Sequence, residues 1–264
     1  MDWPSLLDVP AEPPVVMERA EVPDWLFLTL LTIQGVCWAC TYAVLIYRGT
    51  VDRCLGIPVF ALVLNLSWEL TFLLVLPHPP EQKPIDVIWV LLDLFILRLA
   101  FRYGHRDFPG VSRPAFARMV AGALVAGFVF HVALGWELAD NEGIYGAMII
   151  NLYMSLAFIS LLRRRGSSIG QSVHVAVGKC IGTLGAGAMF FAWYPQRTLL
   201  TLCTVTIFVI DLVYIRMLYR QLRAEGVRPW ALRRPPVRTP VPERPVPAAA
   251  RSRAGAPAPA APPP

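Results

Sequence analysis

Residues 54–77 read CLGIPVFALVLNLSWELTFLLVLP. At about 1.5 Å per residue, a helix of this length crosses a hydrocarbon core, which takes about 20 largely apolar residues. Two side chains stand out in the run, Asn65 and Glu69. An ionisable group at membrane depth costs a few kcal/mol or more, so it faces the inside of a bundle and is a functional candidate by default. Asn65 precedes Glu69 by one helical turn, on the same face, where its amide can orient the carboxyl.

Six further stretches have the same character: 24–47, 85–101, 117–138, 143–162, 172–193 and 197–220. Gly49, the run Pro77–His78–Pro79–Pro80, the stretch from Pro109 to Pro114 and that from Gly166 to Gly170 break the chain between them. The expected fold is therefore all-α, a polytopic membrane protein with a seven-transmembrane-helix bundle over residues 24–221. Composition agrees: of 264 residues 56% are hydrophobic and 16% charged, with mean hydropathy +0.52, where soluble domains carry about 25% charged residues. A soluble enzyme, a nucleic-acid module and a fully disordered chain are excluded. The five cysteines, an odd number in or beside apolar runs, do not make a disulfide framework, and Cys37 and Cys40 read as packing residues.

Charge sets the expected orientation. The segments 48–53, 98–118 and 163–171, with everything after residue 215, hold 20 of the 24 Lys and Arg residues. Alternate loops agree, which places the N-terminus outside and the C-terminus in the cytoplasm. Residues 1–23 form an acidic N-terminal segment without the basic start of a signal peptide. Residues 222–264, rich in Pro, Ala and Arg, are expected to be a disordered cytoplasmic tail held by anionic lipid rather than by nucleic acid.

Within the spans stand Gln34, Asn65, Glu69, Asp93, His131, Asn151, Lys179 and Asp211. Helical rise puts Glu69, Asp93 and Asn151 roughly 12 Å below the outer surface, His131 near 10 Å and Gln34 near 15 Å. Lys179 and Asp211 lie deeper, at roughly 21 Å, and read either as a structural ion pair or as part of the chemistry. Asp86, Glu137, Asp140 and Glu142 read as hydrated surface residues near the outer interface. Gly178, Gly182, Gly185 and Gly187 make the sixth span a close-packing surface. Trp68, Phe72, Trp89, Tyr153 and Tyr214 are aromatic side chains at depth, available to line a cavity.

Such a cavity suits an enzyme acting on a hydrophobic substrate, or a proton-coupled multi-pass carrier of a hydrophobic compound. The seventh span has no Lys for a retinal Schiff base, and there is no HExxH, aspartate-rich metal run or phosphate-cradling glycine loop. No metal or cofactor is expected. What remains is acid–base chemistry with stabilisation of a cation.

Five stretches, in order, carry a resemblance: NLSWELTF at 65–72, WVLLDL at 89–94, NLYMS at 151–155, GSSIGQSVHVAVGKCIGT at 166–183 and DLVYI at 211–215. They resemble the integral-membrane terpene cyclases of meroterpenoid and indole-terpenoid pathways, the Pyr4/PaxB-like group, over about residues 25–220. The resemblance implies that Glu69 and Asp211 are the acidic pair of a metal-independent cyclisation started by protonation. Phe72 stands where the family pattern has Tyr, and the basic tail is outside that pattern. Arg outnumbers Lys 22 to 2, which suggests a GC-rich genome, a bacterial member and a bacterial plasma membrane. The substrate class so implied is a prenylated indole alkaloid, commonly with a farnesyl chain.

The residues support that chemistry in their own right. Desolvation disfavours a carboxylate and keeps an acid neutral and able to give a proton to an alkene or epoxide. Glu69 is the better donor, and Asp211 with Lys179 is suited to steadying a cation or taking the final proton. Aromatic faces attract carbocations by up to ~2 kcal/mol when desolvated, and Trp68, Trp89 and Tyr214 are placed to do so. Asn65, Phe72, Asp93, His131, Asn151, Tyr153 and Lys179 complete the expected substrate-binding set.

Overall fold

Prolines set the limits of the decisive helix. Pro58 precedes its first turn and Pro77, Pro79 and Pro80 follow its last, so α2 runs from Val59 to Leu74 and is shorter than the apolar stretch around it. A computed structural model of the chain describes residues 19–236. In chain order the helices are α1 (Asp24–Asp52), α2 (Val59–Leu74), α3 (Lys83–Tyr103), α4 (Arg113–Glu137), α5 (Ile144–Arg165), α6 (Val173–Trp193) and α7 (Thr198–Ala224), with a 3-10 turn at Gly104–Asp107. No strand occurs among the described residues.

The described residues thus form an all-helical fold, as expected. Five helices, α1, α4, α5, α6 and α7, are long and apolar enough to cross a membrane. α2 is apolar but has 16 residues, and α3 spends much of its length on Lys83, Asp86, Asp93, Arg98 and Arg102.

The helices close on themselves. α1 packs on α3, α3 on α2, α2 on α5, α5 on α7, α7 on α6, and α6 returns to α1. α4 stands outside this ring, mainly against α2. The α1–α6 seam depends on missing side chains, as the glycine spacing in the sixth span suggested. A Cβ on Gly182 would lie 2.9 Å from Cδ1 of Trp38, and one on Gly185 would lie 3.1 Å from Ile33.

At the end of the bundle near residues 48–56 and 166–172, polar groups are buried and paired. Arg48, fully buried, donates to Asp52 at 2.6 Å, and Asp52 accepts from the Gly170 amide at 2.9 Å. Arg234 reaches the Gln171 carbonyl at 2.6 Å and gives its own carbonyl to Arg48 at 3.1 Å. This corrects part of the expected disorder after residue 222: α7 continues to Ala224, and the segment through Arg234 is fastened to the bundle by hydrogen bonds. The rest of that tail, and residues 1–18, lie outside the described residues.

Gly182→Ala is expected to force Trp38 aside and lower stability by about 1–3 kcal/mol, the usual cost of overpacking. Thermal unfolding of detergent-solubilised protein measures it, and an unchanged midpoint would contradict this account of the seam.

Candidate active site

The ring surrounds a partly open pocket of about 840 Å³, open solvent space included. α1 contributes Phe27, Gln34, Trp38 and Tyr42, and α2 contributes Asn65, Trp68 and Glu69. Trp89 comes from α3, Ala147, Ile150 and Asn151 from α5, and Ala186, Met189, Phe190 and Trp193 from α6. His78, Pro79, Gln82 and Glu142 line it from the connections around α3 and before α5.

The wall is rich in aromatic side chains and carries two main polar clusters, of which the first is built on Asn65. Asn65 Nδ2 lies 2.8 Å from Oε1 of Glu69, 2.7 Å from the Tyr42 hydroxyl and 2.9 Å from Oδ2 of Asp93. Tyr42 donates to the same Oε1 at 3.1 Å. Oε2 of Glu69 and Oδ1 of Asp93 have no hydrogen-bond partner among the described residues. The i, i+4 relation of Asn65 and Glu69 is therefore realised as a contact. Asp93 is 0% exposed and stands behind Asn65 rather than on the cavity wall.

At the other polar part of the wall, His78 stacks on Phe72 with ring centroids 4.9 Å apart and 10° between planes. Its Nδ1 meets Asp86 at 2.9 Å and its Nε2 the Glu142 carbonyl at 3.1 Å. The Glu142 carboxylate accepts from Arg19 and from the Tyr194 hydroxyl, each at 3.1 Å. Burial, then the neighbouring Glu142 charge, pushes the Tyr194 hydroxyl up, so it stays a neutral donor. Asp140 accepts from the Ile144 and Tyr145 amides at 2.9 and 2.8 Å, capping the exposed N–H groups at the start of α5.

Several expectations change here. Asp86 and Asp140 are 1% exposed and hydrogen-bonded, and Glu142 faces the cavity, so these three are not free surface carboxylates. Tyr153 is 38% exposed on the outer face of α5 and does not reach the cavity. Phe72 is buried behind Trp68 and His78. His131 is buried on α4, beside Trp68 and Gly146, outside the wall. Tyr214 stacks on Phe158 and donates to Gln171 at 2.7 Å. Asn65, Trp68, Glu69, Trp89 and Asn151 do line the cavity. Tyr42, Trp38, Phe27, His78, Phe190 and Trp193 were not singled out as site residues. They sit where interfacial or core aromatics are ordinary, and only the ring topology turns them inward. Among the described residues no three His, Cys, Asp or Glu side chains converge as metal ligands would.

Lys179 and Asp211 are a buried ion pair. The ammonium lies 3.0 and 2.9 Å from the two Asp211 oxygens and 2.7 Å from Ser155 Oγ, with both charged side chains 1% exposed. This triad ties α6 to α7 and α5 and lies off the cavity wall. Asp211→Asn is expected to strand a buried cation at a cost of about 3–5 kcal/mol, whereas the double substitution Lys179→Met with Asp211→Leu recovers most of it. Unfolding curves of the variants decide. A stable Asp211→Asn protein without turnover would instead put Asp211 in the chemistry.

Comparison with known proteins accords with this architecture. Residues 7–224 match the family model of the Pyr4-like transmembrane terpene cyclases. Terpene cyclase pyr4 of Aspergillus fumigatus is 24% identical over 232 residues, 83% of this chain and 94% of that protein. Terpene cyclase olcD of Penicillium canescens is 29% identical over 240 residues, 86% of this chain and 92% of that protein. Terpene cyclase idtB of Claviceps paspali is 28% identical over 240 residues, 85% of this chain and 97% of that protein. No solved structure matches the chain. With most of its length covered by the family model, the chain belongs to the Pyr4-like transmembrane terpene cyclases.

Proposed function

We propose that Glu69 is the proton donor that starts cyclisation of a prenyl chain, in particular a farnesyl chain carried on an indole-type compound. The observation that carries this is the asymmetry of its carboxyl group. Oε1 is occupied by Tyr42 and Asn65, while Oε2 is without a partner in a residue that lines an aromatic cavity. In the neutral acid the proton resides on Oε2, the oxygen left free for a ligand.

The step balances simply. The Oε2–H bond breaks as a C–H bond forms at the expense of the terminal alkene π bond, or as an O–H bond forms on an epoxide oxygen whose C–O bond to the more substituted carbon opens. The cation so produced is captured by successive double bonds, each forming one ring bond. The last cation loses a proton, which returns to the Glu69 carboxylate directly or by way of water, so the acid is restored and the product is an isomer of the substrate. Trp68 and Trp89, on the cavity wall, offer ring faces to the passing charge, with Trp38 beside them. A water-poor wall protects the cation from premature capture. Asp211, held on both oxygens by Lys179, is a structural member of this proposal rather than a donor.

We further propose that all seven helices span the membrane, with the N-terminus outside, the C-terminus cytoplasmic, residues 24–221 as the catalytic unit and the basic tail against lipid. The charge distribution along the loops supports this arrangement. A bacterial plasma membrane rests on the excess of Arg over Lys alone; the relatives named above are fungal.

Membranes containing the protein are expected to convert a linear prenylated indole to a product of identical mass. Glu69→Gln is expected to reduce that conversion by at least about 100-fold without loss of folded protein. An active Glu69→Gln enzyme removes Glu69 as donor, and uptake of the compound without isomerisation speaks for a carrier.

A further inference from the structure

Tyr42 has no place in the motifs of the sequence, yet the structure puts its hydroxyl on the same oxygen of Glu69 that Asn65 holds. We propose that Tyr42, Asn65 and Asp93 are positioning residues that fix which Glu69 oxygen carries the transferable proton and that steady the carboxylate left after transfer. This rests on the reading of Glu69 as donor.

The hydrogen-bond inventory leads to it. A carboxamide nitrogen has two hydrogens, and Nδ2 of Asn65 has three oxygens within 2.9 Å. Tyr42 has one hydrogen, directed at Oε1 of Glu69. Its oxygen accepts from Nδ2 in turn, so the two Asn65 hydrogens are shared among Tyr42, Glu69 and Asp93. Asp93 is 0% exposed, so the hydrogen it accepts is not exchanged for water. That bond holds the amide plane and stops Asn65 from turning towards Oε2. Three helices are involved: α1 brings Tyr42, α2 brings Asn65 and Glu69, and α3 brings Asp93.

Two consequences follow. Oε1 is held as the carbonyl oxygen of the acid, leaving Oε2 as its hydroxyl. When the proton departs to carbon or to an epoxide oxygen, the same donors face the new carboxylate without rearrangement, as preorganised donors do at developing anions. Tyr42→Phe removes one of them and leaves the ring packed beside Trp38, whose centroid is 5.6 Å away.

The test is infrared spectroscopy of the full-length protein together with steady-state kinetics. The carbonyl stretch of protonated Glu69 is identified as the band lost in Glu69→Gln. In Tyr42→Phe that band is expected to move to higher frequency, because its oxygen has lost a donor, and kcat is expected to fall about 10- to 100-fold with KM unchanged. Asp93→Ala is expected to move the band the same way and lower kcat, and Asp93→Asn, which keeps an acceptor for Asn65, to recover most of the loss. A band that stays in place in both Tyr42→Phe and Asp93→Ala, while Glu69→Gln is inactive, overturns this proposal and leaves the donor standing. An active Glu69→Gln protein overturns the donor, whatever the band does. Loss of no carbonyl band in Glu69→Gln overturns both.

Discussion

One amide nitrogen, Nδ2 of Asn65, stands within hydrogen-bond distance of a phenol and two carboxyl groups in the middle of an apolar ring. Buried polar groups without partners cost several kcal/mol each in a hydrocarbon setting, so a cluster of this kind is tolerated only if its members satisfy one another. They do so in part across α1, α2 and α3, leaving Oε2 of Glu69 and Oδ1 of Asp93 without partners among the described residues. The aromatic side chains of α1, α2, α3 and α6 surround the cluster, and the unpartnered oxygen of Glu69 is what the cluster leaves over.

The legible part of this architecture was its helical periodicity and its cost. Glu69 in a 24-residue apolar run cannot face lipid cheaply, and Asn65 one turn earlier has to share its face. Trp68, Trp89 and Asn151 followed from depth along their own helices. Tyr42 did not, because a tyrosine in α1 is equally at home in a core or an interface, and only the packing of α1 between α3 and α6 aims it at Glu69. Tyr153 and His131 failed for the converse reason. Depth is a coordinate along one helix and says nothing of rotation about it, so it does not separate Tyr153, on an exposed face of α5, or His131, buried on α4 but off the wall, from side chains that line the cavity.

Charge near the interface was harder still to judge from composition. Asp86, Asp140 and Glu142 look like solvated residues in a loop-rich region, yet Asp86 is held by His78, Asp140 by the amides that start α5 and Glu142 by Tyr194. Equal depth of Lys179 and Asp211 along their helices makes an ion pair one of two readings, and Ser155 completes the pair as a tie between α5, α6 and α7. Under the proposed function, cohesion and chemistry fall to different carboxyl groups: both Asp211 oxygens face the Lys179 ammonium, while Glu69 keeps one oxygen without a partner.

An experimental structure with a prenylated ligand in the cavity measures the central claim most directly. The account predicts the chain terminus within hydrogen-bond reach of Oε2 of Glu69, about 2.6–3.2 Å for a heteroatom and slightly more for carbon, with Trp68 and Trp89 flanking the chain. A terminus resting against another acid, with Glu69 turned to lipid or bulk water, would contradict it.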